Sequence, residues 1–149
     1  MLALTLHRPW DQAITRLSKA IENRTWKPPQ SAMDHVIAIH AGLKWDEDGA
    51  EFIAMLEGPQ WEFFDADSPT GIVGVARIVG WFNTITDERK AAWNREHMVK
   101  EHRWSPWRSG PYCWVLADRR PLPMPVPCKG AQGLWTVPTD VERAVRGQL

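Results

Sequence analysis

Prolines and glycines divide this chain into short segments, and that spacing limits what it can fold into. The sequence contains 12 prolines and 10 glycines in 149 residues. Short strands separated by glycine and proline bends are typical of a small, mostly antiparallel β-barrel. The clearest strand covers residues 71–81 (GIVGVARIVGW), which are rich in valine and isoleucine and carry glycines where a barrel strand would bend.

The remaining secondary structure is predicted from the spacing of apolar residues. Strands are predicted where apolar residues alternate or run together, at 2–6, 35–41, 112–117 and 134–137. Helical spacing predicts helices at 9–18, 46–56 and 86–102. The capping box Thr139-x-x-Glu142 predicts the start of a C-terminal helix. No repeat, low-complexity tract or linker divides the chain, so we expect one α+β domain over residues 1–149.

Composition excludes several classes of protein. Hydrophobic residues make up 44% and charged residues 24%, which is typical of a globular chain and not of a disordered one. Eighteen basic residues balance 18 acidic ones, which excludes a strongly basic nucleic-acid protein of the histone kind. Cys113 and Cys128 lack C-x-x-C spacing, which argues against a zinc module and a disulfide framework. We expect both cysteines to be reduced.

The sequence predicts a cytoplasmic protein with no membrane partner. His7, Arg8 and Pro9 interrupt the N-terminal apolar residues before the core of a signal peptide could form. No apolar run approaches the roughly 20 residues that cross a bilayer.

The zero net charge is the sum of unlike parts. Residues 1–45 carry six basic and three acidic side chains, and residues 71–149 carry twelve basic and seven acidic ones. Between them, residues 46–70 carry eight acidic side chains and no lysine or arginine. If the acidic segment folds away from a cleft, the cleft can still attract phosphates. If it lies over the basic face, it cancels that attraction, and the sequence leaves both arrangements open.

Most standard enzyme motifs are absent. The chain has no P-loop, no G-x-G-x-x-G after a strand, no G-x-S-x-G and no H-E-x-x-H. His97 and His102 lie five residues apart, which on a helix sets them about 140° apart and makes them poor joint metal ligands. We therefore expect neither a metal site nor a cofactor.

The most informative cluster is Lys19-x-x-Glu22-x-Arg24, which follows the first predicted helix and has Trp10 and Trp26 on either side. Residues 21–26 predict an irregular turn entering a strand, on which Glu22, Arg24 and Trp26 would point the same way. Arginine binds phosphate or carboxylate with two parallel hydrogen bonds, and lysine adds a point charge. Three such charges are also common on a solvated surface, so both interpretations stay open.

With its neighbours, this cluster resembles the ASCH domain, within the PUA-like superfamily that also includes the EVE and YTH domains. The family pattern is a G-x-K-x-x-E-x-R segment after the first helix, followed by an I-H-A-[SG] strand. Lys19, Glu22 and Arg24 match the first part and IHAG at 39–42 matches the second, whereas Leu17 and Ser18 stand where a glycine usually precedes the lysine. The resemblance continues through GIVGVARIV, GPYCWVLAD and PVPCKGAQGLW, and covers roughly residues 2–137.

The resemblance implies a PUA-like barrel with helices at its rim and a cleft between the first helix and the barrel. The family is linked mainly to nucleic acid, especially RNA, and some relatives recognise modified bases. We expect a nucleotide site formed by His7, Trp10, Lys19, Glu22, Arg24 and Trp26. Lys129 and Gln132 are further ligand-binding candidates, because a glycine-flanked loop lets the backbone approach a ligand closely.

Three functions remain open. The first is a binding module that holds single-stranded RNA, a nucleotide or a modified base, where each base stacked on an aromatic ring contributes about 1–3 kcal/mol. The second is an enzyme. Some ASCH-type proteins resemble amidohydrolases of acylated cytidine with a lysine and a threonine three positions later, but Glu22 stands at the threonine position here. Another member is associated with RNA cleavage, in which Lys19, Glu22 and Arg24 would act as general acid, general base and phosphate clamp. The third is a protein-interaction module, which only the tryptophan and proline content supports.

Overall fold

The computed structural model describes residues 1–58, 66–84, 92–93, 102 and 104–149, and within them the chain forms one mixed sheet with three α-helices. The strands are β1 (Leu2–Arg8), β2 (Ile21–Arg24), β3 (Val36–Trp45), β4 (Gly71–Asn83), β5 (Ala92–Trp93), β6 (Tyr112–Val126) and β7 (Leu134–Thr136). The helices are α1 (Trp10–Arg16), α2 (Glu47–Glu57) and α3 (Thr139–Arg146), with a 3₁₀ turn at Gln30–Ala32.

The sheet has the strand order β2-β6-β4-β3-β1-β7, and β5 pairs with β4. β1 and β3 are parallel, with Ala3 opposite Ala38 and Leu6 opposite Ala41. The other strand pairs are antiparallel. The α+β class and the mostly antiparallel sheet are therefore confirmed, and the predicted barrel is present as a curled half-barrel.

β6 is longer than the sequence predicts. The predicted strand at 112–117 and the proline-rich run after it form one strand of 15 residues, paired with β4 through several shifts of register. Asp118 adopts a positive φ of 50° within this strand. Because proline donates no backbone hydrogen bond, irregular pairing of this kind accommodates it in a sheet.

α1 packs closely on β4 and β6. Ala13 and Ile14 are fully buried there. A Cβ on Gly74 would lie 2.4 Å from Thr15 Cγ2, so this approach of helix to sheet requires glycine at that position. At the end of the helix, the Nη1 atom of Arg119 donates to the carbonyl oxygens of Ile14, Leu17 and Lys19. Arg119 thereby fixes the chain where it leaves α1 and enters the charged cluster at Lys19.

Two sequence predictions about helices need correction. Thr139 does not cap α3, because Pro138 occupies the N-cap and forms no side-chain cap. Glu142 instead accepts from the N-terminal ammonium of Met1 and from Arg146. A continuous helix over 86–102 is wrong at Ala92–Trp93, which pair with β4. Apart from His102, the rest of that range lies outside the described residues.

Cys113 and Cys128 are both free, as predicted. Burial raises the pKa of the Cys113 thiol to about 11 and also raises the pKa of Cys128. In the part of the chain that the structure describes, no helix has the length and apolar character needed to cross a membrane.

Candidate functional site

A cleft of about 480 Å³ opens between α1, β1 and β2. Five of the residues predicted for a ligand site line it: His7, Trp10, Lys19, Glu22 and Arg24. Their positions follow from the local structure. His7 lies on β1 and Trp10 is the first residue of α1. The turn held by Arg119 then leads through Lys19 into β2.

Lys19, Glu22 and Arg24 form one ion-paired network. Glu22 lies between the two cations, with Oε2 3.2 Å from Lys19 Nζ and Oε1 3.0 Å from Arg24 Nε. Lys19 Nζ also donates to the carbonyl oxygen of Ile21, and Arg24 Nη2 donates to that of Thr5 at 3.3 Å. The side chain of Lys19 is 3% exposed and that of Arg24 is 22% exposed. Lys19 is thus the floor of the cleft, and Arg24 reaches its opening.

Burial determines the protonation behaviour of Lys19. Loss of water around the ammonium lowers the pKa of Lys19, and the nearby Glu22 carboxylate partly offsets that shift. The Trp10 ring also lies against this ammonium, with its centroid 5.5 Å from Nζ. A lysine in this setting gives up its proton more readily than one on the surface.

Part of the cleft wall is aromatic. Trp10, Phe52 and Trp107 line it, with ring centroids 6.3 Å apart for Trp10 and Phe52 and 5.9 Å apart for Phe52 and Trp107. Trp10 Nε1 donates to Asp46 at 2.7 Å, and Trp107 Nε1 donates to Ser18 at 3.1 Å. Because their polar atoms are already paired, the rings offer fixed apolar surfaces to a ligand.

Asn23, on β2, holds the segment at residues 107–110 next to that strand by hydrogen bonds. Its Nδ2 donates to the carbonyl oxygen of Trp107, and its Oδ1 accepts from the backbone amides of Ser109 and Gly110. This brings Arg108 and Ser109 to the rim of the cleft. No local sequence pattern indicates this role of Asn23, because its partners lie more than 80 residues away along the chain.

The acidic segment flanks the cleft and does not cover it, as far as residues 46–58 and 66–70 are described. Among them only Phe52 lines the cleft. Ile53 of α2 is buried, whereas Glu47, Asp48 and Glu51 are exposed. Among the described residues, the wall of the cleft therefore carries Lys19, Arg24 and Arg108 against the single carboxylate of Glu22.

Three predicted ligand residues lie outside this cleft. Trp26 follows the end of β2, where strand alternation no longer applies, and packs edge-on against Trp114 in the core. Lys129 and Gln132 are exposed on the loop between β6 and β7. β3 holds that loop, because the Nε2 atom of buried His40 on this strand lies 3.1 Å from the carbonyl oxygen of Cys128.

Two crystal structures of the ASCH protein from Zymomonas mobilis are similar to this chain over nearly its whole length. One aligns with a TM-score of 0.53 at 12% identity and covers 98% of this chain and 93% of that one. The other, a point mutant of the same protein, has a TM-score of 0.52 at 12% identity and covers 98% and 96%. The chain has the ASCH-domain fold. No protein-family model and no curated protein sequence matches it.

Within this ASCH fold, the chain forms the turn before Lys19 without the usual glycine. Leu17 is extended, with φ −113° and ψ −164°, so no left-handed residue is needed there. The Ser18 hydroxyl accepts from Trp107 Nε1, and the Ser18 backbone amide donates to Glu57 at 3.2 Å, which ties the turn to the aromatic wall and to the end of α2. Among the described residues, no three His, Cys, Asp or Glu side chains converge as a metal site.

Proposed function

We propose that this cleft binds single-stranded RNA or a nucleotide, with a base against the aromatic wall and phosphate near the arginines. The observation that carries the proposal is the pairing of two unlike walls in one cavity. Trp10, Phe52 and Trp107 form an apolar face, and Lys19 and Arg24 form a cationic one. A volume of about 480 Å³ lies within the range of small-ligand sites.

The charges fit a nucleotide with few phosphate contacts. Arg24 and Arg108 lie at the opening, where a backbone phosphate can reach their guanidinium groups. The Glu22 carboxylate can accept from a base amino group. Two or three phosphate contacts on a single strand correspond to a shallow salt dependence, with a slope of about −1.5 to −2 in log K against log salt.

The test is the affinity of purified protein for a labelled single-stranded RNA in EDTA at low salt. Arg24→Ala is expected to weaken binding by about 1–3 kcal/mol, the contribution of a charged hydrogen-bonding partner. Arg77→Ala is the matched control, because Arg77 is also a strand arginine in ion pairs and its side chain is 29% exposed, but it lies outside the cleft. Its RNA affinity should equal that of the unmodified protein.

Melting temperatures are measured on the same variants. If Arg24→Ala lowers the melting temperature and leaves the RNA affinity unchanged, Arg24 serves only the fold and the proposal is wrong. Equal binding of RNA by both arginine variants also contradicts it. A mononucleotide competitor then shows whether one nucleotide is sufficient for binding.

Hydrolysis in the same cleft is a second candidate function, favoured by the burial of Lys19. A lysine whose pKa is lowered by burial can act as a general base or nucleophile, and Glu22 Oε2 lies 3.2 Å from its Nζ. The RNA assay, run in parallel with an N-acylated cytidine, detects this activity as product formation. Turnover that Lys19→Met abolishes while binding persists identifies an enzyme, and binding without any product leaves the first function alone.

A further inference from the structure

A second cleft, of about 420 Å³, lies on a different face of α1. None of the described residues lines both clefts. Its polar wall comes from α1 and from the segment before β4, through Asp11, Gln12 and Ser68. Its apolar wall comes from β4 and β6, through Val73 and Leu122.

The polar wall contains three atoms without hydrogen-bond partners. Among the described residues, Asp11 Oδ1, Gln12 Nε2 and Ser68 Oγ are all shielded from water and unpaired. Asp11 is 1% exposed and Gln12 is 8% exposed. Buried polar atoms in folded proteins almost always have a partner. Because all three belong to residues that line one cavity, this cavity is a candidate site for a ligand that completes their hydrogen bonds once the side chains turn towards it.

The chemistry of these atoms defines what would complete them. Asp11 Oδ1 accepts a hydrogen bond and Gln12 Nε2 donates one. They belong to adjacent residues of α1 that both line this cleft, and since neither has a partner, they are not paired with each other. An N–H beside a carbonyl oxygen satisfies both atoms together. The Ser68 hydroxyl can serve as a third donor or acceptor.

Charge and shape narrow the class of ligand. Asp11 and Asp67 line this cleft together with Arg16, whereas Arg8 already donates to four backbone carbonyls. This balance of charge disfavours a phosphate as the ligand. The apolar wall of Val73, Leu122 and two prolines suits a flat ring.

We propose that the second cleft binds a small neutral molecule through an amide edge, whose N–H donates to Asp11 Oδ1 and whose carbonyl accepts from Gln12 Nε2. Two sources carry this edge on a flat ring: a lactam base of the uracil type, and a ring carboxamide. The proposal is independent of RNA binding in the first cleft.

The protonation of Asp11 is compatible with a neutral ligand. Burial raises the pKa of Asp11 to about 7, against the lowering effects of its backbone hydrogen bonds and of the charges on Arg8 and Arg16. A substantial fraction of the carboxyl is therefore uncharged near neutral pH.

The experiment is a titration of the full chain with uridine and with nicotinamide, followed by backbone amide NMR. Binding at about millimolar concentration is expected, as befits ligands of this size. Shifts should centre on residues 11–16 and 66–70. 3-Methyluridine and N,N-dimethylnicotinamide lack the N–H and are expected to bind at least about tenfold more weakly. The probe that binds more tightly identifies the source of the amide edge.

Two variants decide where the probes bind. Gln12→Leu keeps the volume of the side chain and removes the donor, so it should abolish the shifts at residues 11–16 and 66–70, while Arg24→Ala in the first cleft should leave those shifts intact. Loss of those shifts in Arg24→Ala, or methylated probes that produce them as well as their parents, would overturn the proposal. So would an absence of shifts at residues 11–16 and 66–70 with either probe, and a higher melting temperature in Gln12→Leu would then show that the buried Gln12 donor is simply left unpaired.

Discussion

Two buried ionisable side chains lie in α1 and in the turn after it, and burial shifts both towards their uncharged forms. It raises the pKa of Asp11 and lowers the pKa of Lys19. Their surroundings differ, because the Glu22 carboxylate lies 3.2 Å from Lys19 Nζ and Asp11 Oδ1 has no hydrogen-bond partner. Asp11 is therefore the residue at which pH should act most directly on stability.

Asp11→Asn is expected to flatten the dependence of stability on pH. Because the pKa of Asp11 in the folded chain is about 7, above its ordinary value of 3.8, the folded state holds this proton more tightly than the unfolded state. The resulting stabilisation is fully present below about pH 4 and is lost as the pH rises to about 7. It amounts to as much as about 4 kcal/mol. The charged groups facing Asp11 are Arg8, Arg16 and Asp67.

Denaturant unfolding at a series of pH values measures this effect. The free energy of unfolding of the unmodified protein should fall between pH 4 and 7 more steeply than that of Asp11→Asn. Asp140→Asn, at an exposed position on α3, is the control and should keep the original slope. Parallel curves for the unmodified protein and Asp11→Asn would refute the assignment.

At the scale of secondary-structure elements, Gly49 shows how tertiary packing overrides helix propensity. In sequence it is a weak point of the predicted helix at 46–56. In the structure a Cβ at this position would lie 2.7 Å from the Trp10 ring. The glycine thus allows α2 to lie directly against the indole that lines the first cleft.

Gly49→Ala is expected to lower stability although alanine favours helices. The gain in helix propensity is about 0.5–1 kcal/mol, while forcing a methyl group against a packed ring costs about 1–3 kcal/mol. Thermal unfolding should show a net loss, and tryptophan fluorescence should report the displaced Trp10. Glu51→Ala, at an exposed position of the same helix, should change stability by only a few tenths of a kcal/mol. A higher melting temperature for Gly49→Ala would contradict this account.

Local sequence patterns were sufficient to predict those elements whose apolar residues recur at regular spacing along the sequence. The predicted strand at 71–81 and helix at 46–56 correspond closely to β4 and α2. Elements shaped by distant partners were predicted poorly. β6 continues through its prolines because β4 pairs with it, and Glu142 binds the N-terminus rather than capping α3. Neither pairing leaves a trace in the local sequence.

The residues of the candidate site also divide into those that the local sequence predicts and those that it does not. Lys19, Glu22 and Arg24 are close in sequence, so their convergence follows from a short turn and one strand. Phe52 and Trp107 reach the same cleft from other parts of the chain, and no local spacing could place them there. Trp26 was included because strand alternation was extended two residues past the end of β2.

At the scale of the whole molecule, the zero net charge hides a separation of charge around the first cleft. The exposed acidic side chains of α2 lie beside a cleft that, in the part of the chain the structure describes, is lined by three cations and one carboxylate. Asp48 lies one helical turn before Phe52, on the same side of α2. If the cleft binds RNA, this carboxylate repels the incoming phosphates without contacting them.

Asp48→Asn is therefore expected to tighten RNA binding at low salt only. Removing one charge roughly 8 Å from a phosphate in water changes the interaction by about 0.5 kcal/mol, or about twofold in affinity. The gain should vanish near 0.5–1 M salt, where the screening length falls to about 3–4 Å. Asp140→Asn is the matched control, since Asp140 is also an exposed aspartate in the first turn of a helix but lies outside the cleft and α2. Both variants lose the same favourable interaction with a helix N-terminus, so a difference between them at low salt measures repulsion at the cleft. Equal affinities for the two variants at every salt concentration would mean that α2 does not act electrostatically on the site.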